Sequence, residues 1–186
     1  MTLASSAQRP LESPDLFAPH LRRERVVDWQ APGPAARAAM TMSGMEAMCA
    51  IRDGILPPPP MARLIGFRMA TVEPGRIVME LDAEESLENT IGLLHGGTAA
   101  ALLDTAIGCA ISTMLPAGQT SVTLDLKLTY LRPLSVRSGT IQAEGKLIKL
   151  GRQASYTEGF VRDGAGNLAV HATSTFSMVG QVQRTK

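Results

Sequence analysis

The residues best suited to chemistry fall in one stretch, Asn89-Thr-Ile-Gly-Leu-Leu-His95-Gly96-Gly97-Thr-Ala-Ala-Ala-Leu-Leu-Asp104. A polar, glycine-bearing loop turns into an almost wholly apolar helix at Gly96-Gly97. The first backbone N–H groups of a helix lack intrahelical partners and sit at the positive end of its dipole. Glycine lets another molecule come close to them. Such a terminus can hold an anion, or the oxyanion that develops when a carbonyl is attacked. Asp104 is the one acid on the helix. A carboxylate on an apolar helix must be paired, hydrated in a cleft, or chemically used. It could activate water or act as a nucleophile.

Spacing constrains how these groups can cooperate. Asp104 follows Gly96 by eight positions, which is roughly 12 Å along one helix. The two cannot touch one reacting carbon within a single chain. If both act at one centre, they come from two subunits whose helices run antiparallel, in a two-fold dimer with two composite sites. His95 either orients a substrate or caps the helix. Asn89 either positions water or braces the loop. Thr123 lies on a strand face opposite the apolar residues, which by itself carries no information.

Other chemistries find little support. His20 and His171 are isolated, and three scattered histidines make no metal site. Cys49 and Cys109 are far apart among apolar residues and read as reduced, buried thiols. There is no G-x-S-x-G elbow, no Walker loop and no dinucleotide fingerprint.

The elements that must position this stretch are mostly strands. Residues 67–72 read as a strand, Pro74-Gly75 as a turn, and Ile77, Met79 and Leu81 alternate along the next strand. After Gly118, Val122, Leu124, Leu126, Leu128 and Tyr130 alternate with polar residues, which predicts a long strand with those five on the core. Two more strands follow over 140–150 and 153–162. A hairpin connection at 163–167 leads to a last strand carrying Leu168, Val170, Ala172, Ser174, Phe176 and Met178 on one face. The fold class is therefore α+β, an antiparallel sheet curled around one buried helix.

The chain divides into an N-terminal extension over 1–42, a short helix with a proline-rich connector over 43–60, a main domain over 61–180 and a polar tail over 181–186. The extension is expected to be loose to about residue 20 and packed after it, with a short strand at 25–29 and a helical piece at 35–40. Ser43-Gly-Met-Glu46 is a capping box opening a helix that Gly54 ends. Residues 61–65 form another helical turn after the run Pro57–Pro60.

The totals narrow the setting. A chain of 186 residues can bury a real core, and a net charge of +1 gives no reason to expect nucleic acid or an anionic membrane as partner. The apolar run 91–115 is long enough to span a bilayer, but His95 and a central Asp104 make that costly, so no membrane span is expected. The N-terminal residues lack the apolar core of a secretory signal. A cytoplasmic location is expected.

The pattern Asn89-x-x-Gly92-x-x-His95-Gly96-Gly97, followed by Leu103-Asp104 and a strand ending Tyr130-Leu131-Arg132-Pro133, resembles the hotdog-fold acyl-CoA thioesterases. More narrowly, it is similar to the phenylacetate-pathway, PaaI-like branch. The order of elements matches from about residue 59 to 179. The resemblance implies a hotdog fold and hydrolysis of acyl-CoA without metal or redox cofactor, by a homodimer that pairs into a homotetramer. It implies that the Gly96 N–H polarises the thioester carbonyl, with Gly97 beside it, and that Asp104 from the facing subunit is base or nucleophile. Asn89 and His95 would place water and thioester, and Thr123 would lie near the reacting centre. Arg152, and less directly Lys149, would meet the CoA phosphates. Two alternatives share the fold: a non-catalytic acyl-CoA binder, which has no need of Asp104, and an enoyl hydratase or dehydratase, to which the His95-Gly96-Gly97 arrangement is less suited. Few aromatic residues disfavour an aryl-stacking pocket.

Overall fold

The computed structural model describes residues 21–180. The expected loose part of the extension and the polar tail fall outside the described residues. Three short helices come first: α1 (Pro32–Ala39), α2 (Gly44–Arg52) and α3 (Pro60–Ile65). Strands β1 (Arg68–Glu73) and β2 (Arg76–Asp82) precede the long helix α4 (Gly96–Ser112). Strands β3 (Thr120–Tyr130), β4 (Thr140–Lys149), β5 (Ala154–Arg162) and β6 (Leu168–Val179) follow it.

All six strands join one antiparallel sheet in the order β1-β2-β4-β5-β6-β3. The sheet curls around α4, whose Leu102, Leu103, Ala106, Ile107, Ala110 and Ile111 are fully buried against it. The opposite side of the helix, including Ala101, Asp104, Thr105 and Gly108, is only half-buried. One stripe of an apolar helix is thus left partly uncovered by its own chain.

Strand and helix come unusually close at Gly145, which pairs with Gly159 across β4 and β5. A Cβ at Gly145 would overlap the α4 backbone at Ala106 and Ile107. At Gly159 it would meet the side chains of Leu103 and Ile107 at 2.8 Å. At this crossing the glycines let strand and helix approach closely, while side chains fill the core on either side.

The Ser43 capping box is present. The Ser43 hydroxyl accepts from the Glu46 N–H, and the Glu46 carboxylate accepts from the Ser43 N–H at 2.8 Å. Two expectations need correcting. Residues 25–29 form no strand. They run as an extended strap, tied to the domain by ion pairs of Arg25 with Glu84 and of Asp28 with Arg63, while Val26 and Trp29 stay exposed. Second, the five apolar residues of β3 do not share one core face. Val122, Leu124 and Tyr130 are exposed, and only Leu126 and Leu128 pack on the core. Tyr130 keeps the phase of Leu126 and Leu128, opposite Val170, and is exposed at the strand end. For Val122 and Leu124 the cause is a bulge: Thr123 pairs with Phe176 and Asp125 with Thr175, so Leu124 is an extra residue. An extra residue reverses the inward-outward phase of a strand.

Candidate active site

The loop before α4 is built by Asn89. Its side-chain oxygen accepts from the N–H groups of Ile91 (3.0 Å) and Leu93 (3.2 Å), and its own N–H donates to the Leu93 carbonyl at 2.7 Å. The Leu94 and His95 N–H groups bond to the Leu134 and Leu87 carbonyls, both at 2.8 Å. The Asn89 oxygen is therefore a brace, and the amide nitrogen is the part left to face a ligand.

His95 is the N-cap of α4. Its Nδ1 accepts from the Gly97 N–H at 2.9 Å. An accepting Nδ1 puts the proton of the neutral ring on Nε2, leaving an outward donor on this exposed side chain. Gly97 therefore serves the cap through its N–H. The Gly96 N–H has no partner among the described residues. The Gly96 carbonyl accepts from the Tyr130 hydroxyl at 2.8 Å. A Cβ on Gly96 would lie 3.1 Å from that hydroxyl oxygen, a tight contact that the Tyr130 side chain or the turn would have to relieve.

These groups wall a cleft of about 370 Å³ lined by Asn89, His95, Gly96, Tyr130 and apolar neighbours such as Leu93 and Leu134. Asp104 and Thr123 do not line it. They meet each other instead. The Thr123 hydroxyl donates to Asp104 Oδ1 at 2.9 Å, on the half-covered side of α4. The Asp104 charge, after burial itself, helps push the Cys109 thiol up to about 12. Lys149 and Arg152 are exposed around the β4–β5 hairpin and enter no ion pair among the described residues. The hairpin lies at the Thr123 end of the sheet, since Ala154 pairs with Ser177 and Ser177 with Val122.

Within one chain the expected site residues therefore fall into two separate groups. The first holds Asn89, His95, Gly96 and Gly97, and the second holds Asp104 and Thr123 with the basic hairpin at the same sheet end. Sequence reasoning missed Tyr130 as a site residue. The sequence offers it only as an alternating strand residue and as part of the family-like ending Tyr130-Leu131-Arg132-Pro133. Among the described residues no three His, Cys, Asp or Glu side chains converge on a metal position. No helix there is long and apolar enough to cross a membrane.

Comparison with known proteins places this architecture. A model of the Thioesterase superfamily matches residues 91–170. The proofreading thioesterase EntH of Klebsiella pneumoniae is 34% identical over 106 residues, covering 57% of this chain and 76% of that protein. Human acyl-coenzyme A thioesterase 13 is 30% identical over 100 residues, covering 51% of this chain and 67% of the relative. Among solved structures, a phenylacetic acid degradation-related protein of Ralstonia eutropha is 27% identical with a TM-score of 0.64, over 71% of this chain and 98% of that one. The PaaI protein of Escherichia coli, 18% identical, shares the fold with a TM-score of 0.65 over 75% of this chain and 96% of its own. With its curled six-stranded antiparallel sheet around a long central helix, this chain belongs to the thioesterase superfamily and has the hotdog fold.

Proposed function

We propose that the protein hydrolyses acyl-CoA thioesters to free acid and CoA. The observation that carries this reading is the Asp104 carboxylate, held by the Thr123 hydroxyl on the half-covered side of an otherwise uncharged helix. A carboxylate fixed in place but facing away from the packed core suits a group that handles water or a carbonyl carbon.

In this reading the thioester carbonyl oxygen lies on the unpaired Gly96 N–H of one subunit, at the positive end of α4. Asp104 comes from the facing subunit. Asp104 either takes a proton from water as that water attacks, or attacks the carbonyl itself and is released by water. In the first course the oxyanion collapses, the C–S bond breaks, and the CoA thiolate receives the proton held by Asp104. The Gly96 N–H favours the charge that exists only in the tetrahedral state, which is where binding accelerates a reaction. His95 Nε2 and the Asn89 amide nitrogen orient the thioester and water. Arg152, with Lys149 as a weaker second, draws the CoA phosphates. No metal or redox cofactor takes part.

The composite arrangement is supported by what a single chain leaves open. β3 is an edge strand of 11 residues with exposed Val122 and Leu124, and a long apolar edge invites pairing with another chain. The uncovered side of α4, with Asp104 on it, lies beside that edge. A second copy of this chain is the partner, and paired dimers make a tetramer. The reaction belongs in the cytoplasm, where acyl-CoA is the substrate and two free cysteines stay reduced.

The test is release of free thiol from a panel of acyl-CoA esters by the purified protein and by Asp104→Asn. Turnover by the wild type, with loss in the variant, is expected. If no acyl-CoA yields thiol, or if the variant matches wild type, the reading fails.

A further inference from the structure

A second cleft of about 460 Å³ lies on the flank of α4, between the N-terminal strap and helices α2 and α3. We propose that it receives the distal, aliphatic part of the acyl group, so that the strap preceding the hotdog domain forms part of the substrate site. This rests on the thioesterase reading given above. The volume lies within the ~300–1,000 Å³ of small-molecule sites.

Its lining selects the chemistry of the occupant. The inner wall is Phe67, Met69, Met79 and Cys109, of which Phe67 and Met79 are almost fully buried. Four arginines stand at the cleft, but each has an acidic partner: Arg25 with Glu84, Arg52 with Asp53, Arg63 with Asp28, and Arg68 with Glu80 and Asp82. Guanidiniums engaged in this way leave no positive charge in excess for a phosphate. An inner wall of apolar side chains under a polar but neutralised rim suits a hydrocarbon tail, and the unbranched methionine side chains adapt to its shape.

Its position ties it to Asp104. Thr105, the next residue on α4, and Cys109, about one turn further, both line the cleft. The Asp104 charge reaches the Cys109 thiol, which burial and that charge keep protonated. Asp104 itself does not line the cleft, but a tail there lies against the residue that follows it on the half-buried side of α4. The strap closes the outer side through Val27 and Asp28, with Asp28 locked onto Arg63 of α3. Thr105 and Cys109 lie within the matched region 91–170, whereas the strap, α2 and α3 precede it.

The experiment uses the full-length protein. Ile51 of α2 lines the cleft and is half-buried. Ile51→Phe should narrow it and lower kcat/KM for decanoyl-CoA at least about tenfold, leaving acetyl-CoA within twofold of wild type. Ile51→Ala, which enlarges it, should move the preference to longer chains. A folded Ile51→Phe protein that changes equally towards both substrates, or towards neither, overturns the proposal. Binding separates this from failure of the catalytic reading. Titration calorimetry with decanoate reads binding directly. If wild type hydrolyses no acyl-CoA but decanoate binds saturably, and several-fold more weakly to Ile51→Phe, the pocket stands without the enzyme. If decanoate shows no saturable binding, the pocket falls.

Discussion

The Thr123 hydroxyl donates a 2.9 Å hydrogen bond to Asp104 Oδ1, and a bulge in the strand makes that possible. Strict alternation puts Thr123 on the face away from Leu126 and Leu128. The extra residue at Leu124 turns it back towards α4. The same bulge leaves Val122 and Leu124 exposed along the sheet edge. One local irregularity therefore orients the acid and prepares the edge beside it.

Removing the acid should remove the chemistry. Asp104→Asn is expected to lower kcat by about 10²–10⁴-fold with little change in the fold. Thr123→Ala should cost about tenfold in kcat, and Thr123→Ser, which keeps the hydroxyl, should stay near wild type. Steady-state kinetics on one good acyl-CoA, with circular dichroism to check folding, decides the matter. A fully active Thr123→Ala enzyme would show that the hydrogen bond has no catalytic consequence.

At the other half-site, Gly96→Ala puts a methyl group 3.1 Å from the Tyr130 hydroxyl oxygen. Either the Tyr130 ring or the first turn gives by a few tenths of an ångström, and the Tyr130 hydrogen bond that fixes the Gly96 peptide is disturbed. A fall of about 10²-fold in kcat with KM largely preserved is expected, the pattern of an interaction made in the transition state. A rise in KM alone would assign Gly96 to ground-state binding.

Mixing two impaired variants tests whether the halves come from different chains. Homodimers of Asp104→Asn and of Gly96→Ala should each keep no more than about a hundredth of the activity. A mixed dimer contains one intact site, formed by Gly96 of the first chain and Asp104 of the second, so it should regain about half the activity. Co-purification with two different tags isolates the mixed species. No recovery in that species refutes the composite site.

Packing of the sheet on the helix predicts a stability effect distinct from catalysis. Gly145→Ala forces a methyl group into the α4 backbone at Ala106. Neither backbone can yield cheaply, and a loss of about 3 kcal/mol is expected, the upper part of the overpacking range. Denaturant unfolding measures it directly. A midpoint unchanged from wild type would mean that the sheet can move off the helix without loss.

An acid limb in the stability profile should trace in part to Glu144. Burial raises its pKa, but hydrogen bonds from Arg76 and Lys146 outweigh that and hold it below the ordinary value of 4.5. A folded pKa below the unfolded one means the contribution is complete above about 4.5 and disappears as pH falls through the lower folded value. Glu144→Gln should therefore lower the thermal midpoint at pH 7 by a few degrees, on the order of 1 kcal/mol, and flatten the loss below pH 4.5. Parallel profiles for the two proteins would place the acid sensitivity elsewhere.

Much of this molecule follows from the amino-acid sequence. Period-two alternation marked the strands after Gly118, and the apolar run after Gly96-Gly97 marked the helix they surround, because local geometry and burial impose those periods directly. The eight-residue spacing of Gly96 and Asp104 implied that, if both act at one centre, they come from two chains, since helical rise per residue is constant. What it left open was decided by contacts between distant segments. Only the folded chain shows that His95 caps the helix and that Asn89 braces the loop, because each side chain had two partners within reach. The bulge at Leu124 depends on pairing with β6, 50 residues further on, and strand alternation cannot reveal it. Tyr130 comes to Gly96, and the strap comes to α4, through tertiary packing alone. Periodicity records which residues are buried, whereas the docking of elements determines what each buried or half-buried group touches.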